Sequence, residues 1–244
     1  MSLIEDLVIS YRVLAAEGII DGYGHISVRS DRDRQRYLIA KAIAPELVTE
    51  ADIVECDLDS NPVTPVSGPL YRERFIHGEI YKVRSDVNAI VHNHSPTIVP
   101  FSVTARPMRP IFHMAAFVGV GIPNFEIRDV QKGTNMLVET PQLGAALAKT
   151  LSDKPAALMR GHGSVVVGEK LGIATARSVY LEMSAKMQMQ AMMIAGSEAA
   201  VVFMDDDEVK AAVAMQDYGR AWNLWRRQGL ALLAAGSNAR SSGR

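Results

Sequence analysis

With 244 residues, 48% of them hydrophobic and 22% charged, the chain has the length and balance of one α/β domain and lies far from a disordered composition. A net charge of −1 leaves no electrostatic footprint for nucleic acid or an anionic membrane surface. The single cysteine, Cys56, excludes an intrachain disulfide, the opening MSLIEDLVIS lacks the basic start of a signal peptide, and no segment approaches the roughly 18-residue apolar run of a membrane span, so a cytoplasmic protein is expected.

In chain order, Leu3, Ile4, Leu7, Val8, Tyr11 and Leu14 recur at helical spacing and predict an amphipathic first helix that Gly18 stops. HISVRS and YLIA read as two strands joined by a solvated charged loop, residues 31–36. Residues 50–58 read as a strand region ending in the turn Asp59-Ser60-Asn61-Pro62. Gly68-Pro69 opens a helix expected to run to about residue 84. A strand follows over 87–92, a helix or turn over 96–104, a short strand near Ile122 and an amphipathic helix over 143–151. Strands over 156–159 and 164–167 flank Arg160-Gly161-His162-Gly163. The long helix over 173–194 carries Met183, Met187, Met189, Met192 and Met193, which are expected in a core or a subunit interface because Met fills irregular gaps. A second long helix starts near Asp205, whose spacing to Glu208 fits a capping box, and the polar tail 236–244 is expected to be disordered. There is no internal repeat. Alternating strands and helices with hairpins predict a mixed α/β sandwich in one domain, residues 1–235.

Chemistry concentrates in the histidines. In Ala89-Ile90-Val91-His92-Asn93-His94 the two histidines sit two apart on a strand, so their rings face one way and can share an ion. His162 lies between two glycines that let the backbone bend the ring inward. Three neutral imidazoles and an open position suit a catalytic Zn, Mn or Co. Proton chemistry needs a carboxylate, and Glu73 is the candidate, as a fourth ligand or an acid/base; a surface pair with Arg72 or Arg74 is the plain alternative.

Glu73, then His92-Asn93-His94, then a glycine-flanked histidine, together with Gly24-His25-Ile26-Ser27-Val28-Arg29 and the stretch Arg84 to His92, resemble the class II aldolase/adducin family over most of the chain. The resemblance implies a single-domain three-layer α/β/α fold with a central, mainly antiparallel sheet. It also implies a homotetramer and a divalent metal ion held by His92, His94 and His162, with Glu73 as exchangeable ligand or acid/base. It argues against a non-catalytic adducin-like head, because that branch loses the metal histidines.

The aldolase branch cradles a substrate phosphate with an early Asn, a Thr-Gly turn and two serines before the catalytic Glu. Here those places read His25, Ala40-Lys41-Ala42 and Tyr71-Arg72. Lys41, Arg72 and His25 suit instead a planar carboxylate substrate, since Arg grips carboxylate in bidentate fashion. At His113, in Pro110-Ile111-Phe112-His113-Met114, the aldolases carry a tyrosine acid; an imidazole delivers a proton nearer neutrality, although core packing is the plain reading. A tyrosine near the aldolase C-terminus helps the adjacent site, and Tyr218 is the matching candidate, intrachain packing being the alternative. Gly24-His25-Ile26-Ser27, Arg74-Phe75-Ile76-His77-Gly78 and Met159-Arg160-Gly161-His162-Gly163 resemble most the family's metal-dependent decarboxylases. The expected activity is therefore non-oxidative decarboxylation of a hydroxylated aromatic or pyridine (di)carboxylate. Glu73 or His113 would protonate the ring and Arg72 or Lys41 would hold a second carboxylate. The alternatives are a class II aldolase acting on a hydroxy-ketone or hydroxy-acid, and a non-catalytic metal-bound scaffold.

Overall fold

In the computed structural model, residues 2–241 are described, with side chains to residue 234. Helix α1, Leu3–Ala16, starts where the Ser2 hydroxyl accepts the Glu5 N–H at 3.1 Å, and Gly18, at φ +68°, lets the chain turn away at its end. Its apolar face buries Leu7, Tyr11 and Leu14 against the sheet. The Tyr11 hydroxyl donates to the Ile26 carbonyl at 2.7 Å and accepts the Ala40 N–H at 3.2 Å, tying the helix to two strands.

The strands are β1 (His25–Arg29), β2 (Arg36–Ala40), β3 (Ile53–Asp57), β4 (Ala89–Asn93), β5 (Asn124–Phe125), β6 (Ala156–Met159) and β7 (Gly163–Gly168). They form one seven-stranded sheet in the order β3-β2-β1-β4-β7-β6-β5, antiparallel except for the β5–β6 pair. Strand alternation puts Ser27 and Arg29 of β1 against His77 and Tyr81 of helix α2, Phe75–Val83. Helix α4, Pro141–Leu151, packs beside α2; helices α1 and α5, Leu171–Ala195, cover the other face, joined by α7, Gly219–Ser241. The expected three-layer α/β/α architecture with a mainly antiparallel sheet is what the chain adopts. The short helices α3, Val99–Ser102, and α6, Asp206–Ala214, complete the order. The expected capping box opens α6, with the Asp205 carboxylate accepting the Asp207 and Glu208 N–H groups.

Several local expectations differ from the structure. Pro69 does not open a helix. Gly68 is at φ +103°, the Ala42 N–H donates to the Pro69 carbonyl at 3.0 Å, and Leu70 bridges Lys41, so this stretch is spent pairing with the end of β2. Helical backbone begins only with a 3-10 turn at Arg72–Arg74 ahead of α2. The strand expected near Ile122 forms at residues 124–125. The single long C-terminal helix is two, because the Asp217 side chain accepts the Gly219 N–H at 2.8 Å and starts α7 afresh. The α5 methionines are not core: Met183, Met187, Met189 and Met193 are exposed, and the buried positions among them are Ser184, Ala185 and Gln188, the last bonding Pro107 and Arg109. The tail expected from residue 236 lies outside the residues whose side chains are described.

Candidate metal centre and cleft

His92 is the penultimate residue of β4, His94 follows the strand, and His162 sits in the β6–β7 turn, where Gly161 takes φ +63°. Pairing of Asn93 with Ser164 carries that turn to the end of β4. This needs a glycine after His162: a Cβ on Gly163 would lie 1.8 Å from the Asn93 carbonyl oxygen. The Nε2 atoms of His92 and His94 are 3.1 Å apart, as are those of His94 and His162. Glu73 Oε2 is 3.5 Å from the Nε2 of both His92 and His162, and the four ligand atoms all lie within 4.8 Å of one another. An ion about 2.0–2.1 Å from each of two nitrogens spaces them roughly 3.0–3.4 Å apart, so the observed separations fit.

The tautomers make the case stronger. Each Nδ1 faces an atom that only accepts: His92 the Ser164 carbonyl at 3.1 Å, His94 the Asp21 carboxylate at 3.1 Å, His162 the Met136 carbonyl at 2.9 Å. In the neutral rings the hydrogen therefore sits on Nδ1, and three bare Nε2 lone pairs converge. Such an array repels itself unless a cation stands between. The carboxylate responds in kind. Burial raises the affinity of Glu73 for a proton, but where a proton takes the place of a cation on the Nε2 of His162 or His92, the hydrogen bond it makes to Oε2 outweighs burial and holds the carboxyl far below the usual carboxylate range. Burial pulls His162 down, and the Glu73 hydrogen bond overcomes this, leaving its pKa raised. The other Glu73 oxygen, Oε1, accepts the Val138 N–H at 2.8 Å, which aims Oε2 at the cluster. Glu73 is buried and pairs with neither Arg72 nor Arg74, so the plain surface reading does not hold.

Beside the cluster runs a cleft of about 840 Å³. His25, Glu73, His94 and Arg72 line it together with apolar Ala42, Ile43, Leu70, Tyr71 and Leu137, and with Tyr23, which is 77% exposed. His25 is buried behind it, its ring 4.6 Å from Tyr71 and 5.0 Å from His92. A chain of short contacts backs it: His25 Nδ1 to His77 Nε2 at 2.7 Å, His77 Nδ1 to Ser27 Oγ at 2.6 Å, Ser27 Oγ to Tyr81 OH at 2.9 Å. Burial, reinforced by nearby His92, pushes His77 down to about 3, and burial, with the repulsion a second proton would meet from His77, pushes His25 well below its ordinary value, so both rings are neutral at pH 7.

The remaining sequence candidates sit as follows. Lys41 pairs with Asp52 at 3.0 Å and does not line the cleft. Arg72 does line it, with its guanidinium held by the Glu139 carboxylate. His113 is exposed at the start of a 3-10 helix, His113–Val120, and Tyr218 is buried nearby, donating from its hydroxyl to the Met114 carbonyl at 2.9 Å and stacking on Tyr180. Within one chain neither His113 nor Tyr218 lines the cleft. Two elements escaped sequence reasoning. Asp21 orients His94 and also accepts the Tyr23 and Gly24 N–H groups, an Asx turn that Asp-Gly could have signalled. The strap at residues 134–139 offers only backbone groups to His162 and Glu73, and no residue type announces those.

Fold and cluster together define an α/β/α protein with a candidate divalent-metal centre opening on a cleft. The pattern of the Class II Aldolase and Adducin N-terminal domain matches residues 5–189, and the chain belongs to that family. It is 31% identical over 238 residues to decarboxylase tropJ of Talaromyces stipitatus, covering 88% of this chain and 90% of that one. It is 28% identical over 239 residues to the 3,4-dihydroxyphthalate decarboxylase of Arthrobacter keyseri, covering 92% and 91%. The solved L-fuculose 1-phosphate aldolase from Glaciozyma antarctica PI12 shares the fold, with a TM-score of 0.75 at 20% identity over 97% of this chain and 90% of that one.

Proposed function

We propose that this chain is a divalent-metal-dependent carbon–carbon lyase that decarboxylates a hydroxylated aromatic carboxylate without oxidation. Family membership and the decarboxylase relatives support a lyase. One observation carries the finer reading: the cleft beside the three converging Nε2 atoms is walled by Ile43, Leu70, Tyr71 and Leu137, a surface for a flat apolar ring and a poor one for a sugar phosphate. His92, His94 and His162 would hold a Zn, Mn or Co ion, which would supply Lewis-acid stabilisation of negative charge on the substrate.

The chain's own groups do the rest. Glu73 is ionised, so it acts first as a base. Oε2 takes the proton of the substrate's ring hydroxyl on binding and returns it to the ring carbon once the carboxylate has left as CO₂; the phenolate oxygen of the product then takes a proton from water on release. Neutral His25 and Tyr71 pack against the substrate end of the cleft, and Asp21, Ser164 and Met136 keep the imidazoles in the tautomer that leaves Nε2 free. His113 and Tyr218 reach a cleft only if a neighbouring subunit presents them, and a homotetramer is the assembly proposed. The test is CO₂ release from a panel of ortho-hydroxy aromatic and pyridine acids, with Mn, Co or Zn supplied in turn. Efficient cleavage of phosphorylated hydroxyketones without CO₂ release from any acid would overturn the reading in favour of an aldolase.

A further inference from the structure

Arg72 and Glu73 are consecutive, and one strap holds both. Residues 134–139 are locally braced: the Thr134 hydroxyl accepts the Met136 N–H at 2.9 Å, the Asn135 side-chain oxygen accepts the Leu137 N–H at 3.0 Å, and Met136 takes φ +72°. From this strap the Val138 N–H fixes Glu73 and the Glu139 carboxylate takes the Arg72 guanidinium. Glu139 is itself steadied, since its Oε1 accepts the Asn135 side-chain N–H at 2.8 Å while Oε2 faces Arg72.

Among the described residues lining the cleft, Arg72 is the only lysine or arginine. A substrate with a second carboxylate would look to this guanidinium, and would find its charge already matched and a carboxylate beside it. Accepting that second carboxylate means either displacing Glu139 or lying next to it, a like-charge contact. Lys41, the other cation expected from the sequence, is committed to Asp52. The rest of the lining, apolar Ile43, Leu70 and Leu137 beside Tyr23, Tyr71 and His25, offers no second lysine or arginine.

Resting on the decarboxylase reading above, we infer that Glu139 is a specificity-determining residue: by occupying Arg72 it closes the cleft to a second carboxylate, so the substrate is a hydroxyaromatic acid with one carboxylate and uncharged ring substituents. A hydrogen bond to a charged group lost in this way corresponds to a preference on the order of 10–100-fold.

The experiment compares wild type, Glu139→Gln and the double variant Arg72→Gln with Glu139→Gln, each loaded with metal. Two readouts are taken: the ratio of kcat/KM for CO₂ release from 2,3-dihydroxybenzoate and from 3,4-dihydroxyphthalate, and the ratio of calorimetric affinities for benzoate and phthalate. Wild type is expected to favour the monoacids by about tenfold or more. Glu139→Gln should shift both ratios toward the diacids by about 10–100-fold, and the added Arg72→Gln should cancel that shift. A wild type that prefers the diacids, or ratios unmoved by Glu139→Gln, would overturn the inference. If wild type releases CO₂ from neither acid, the decarboxylase reading falls, and the benzoate-to-phthalate affinity ratios in the three proteins still decide the role of Glu139.

Discussion

Asp21 shows how much one side chain at this site carries, because its carboxylate both orients His94 and anchors the turn bearing Tyr23. Asp21→Ala should weaken metal affinity about 10–100-fold while leaving the three ligands in place, as read by competition with a chromogenic chelator; unchanged affinity would show that the His94 ring needs no outer partner. Glu73→Gln should retain metal yet lose turnover by about 10²–10⁴-fold, measured by steady-state kinetics beside elemental analysis. Buried His77 gives a pH signature with a definite sign. Its folded pKa is about 3, against about 6.5 in an unfolded chain. Between those values the unfolded chain binds a proton that the folded one does not, so the contribution to stability is complete above about 6.5 and is lost as pH falls toward 3, by up to about 1.4 kcal/mol per pH unit. Denaturant unfolding of wild type and His77→Gln at pH 7.5, 6 and 5 checks this; the variant's curve should be the flatter one. At this scale the sequence was informative where residue type and spacing coincide, as in His92-Asn93-His94 and the glycine-flanked His162. It was silent where a backbone group does the work, as at Met136 and Val138, and where a neighbour cancels a charge, as Glu139 does for Arg72.

Among the elements, the β6–β7 hairpin matters most to the site, because its turn delivers His162 and its strand β7 supplies the Ser164 carbonyl to His92. Gly163→Ala should cost at least about 3 kcal/mol, since the added methyl meets the Asn93 carbonyl, rigid strand backbone that has nowhere to go. Chemical denaturation measures the loss, and a variant of wild-type stability would mean that β4 and β7 can separate at Asn93 without cost. Strands and helices with clean periodicity, such as α1 and β6, were legible. The start of α2 was not, because Gly68, Pro69 and Leu70 are claimed by the end of β2 through long-range pairing that local spacing does not encode. The division between α6 and α7 was missed for a smaller reason, an Asp217 side chain competing for the helix backbone.

For the molecule as a whole, no helix among the described residues is long and apolar enough to cross a membrane. Metal binding should couple to global stability: a ligand at about a thousand times its Kd adds roughly 4 kcal/mol, so thorough chelation is expected to lower Tm by about 10 °C, with recovery on adding metal back. A Tm indifferent to chelation would argue that no ion is bound. The exposed Met183, Met187, Met193 and Ile194 agree with the interface alternative for the methionine helix. Sedimentation should accordingly report an oligomer. If His113 serves a neighbour's cleft, mixed oligomers of Glu73→Gln and His113→Phe subunits should regain activity that neither parent has, because one hybrid site then keeps both groups.

The three atoms that set the imidazole tautomers belong to the Asp21 turn, the Met136 strap and strand β7, spread over more than half of the chain. During synthesis the first two ligands emerge long before the third, and until residue 164 has been added the ring of His92 has no carbonyl to settle on. A chain short of that point would offer an ion only the Glu73 carboxylate and two loosely held nitrogens. The full set of candidate ligands would come together only when the β6–β7 turn closes, so the choice among metals would fall to the assembled site rather than to the emerging chain.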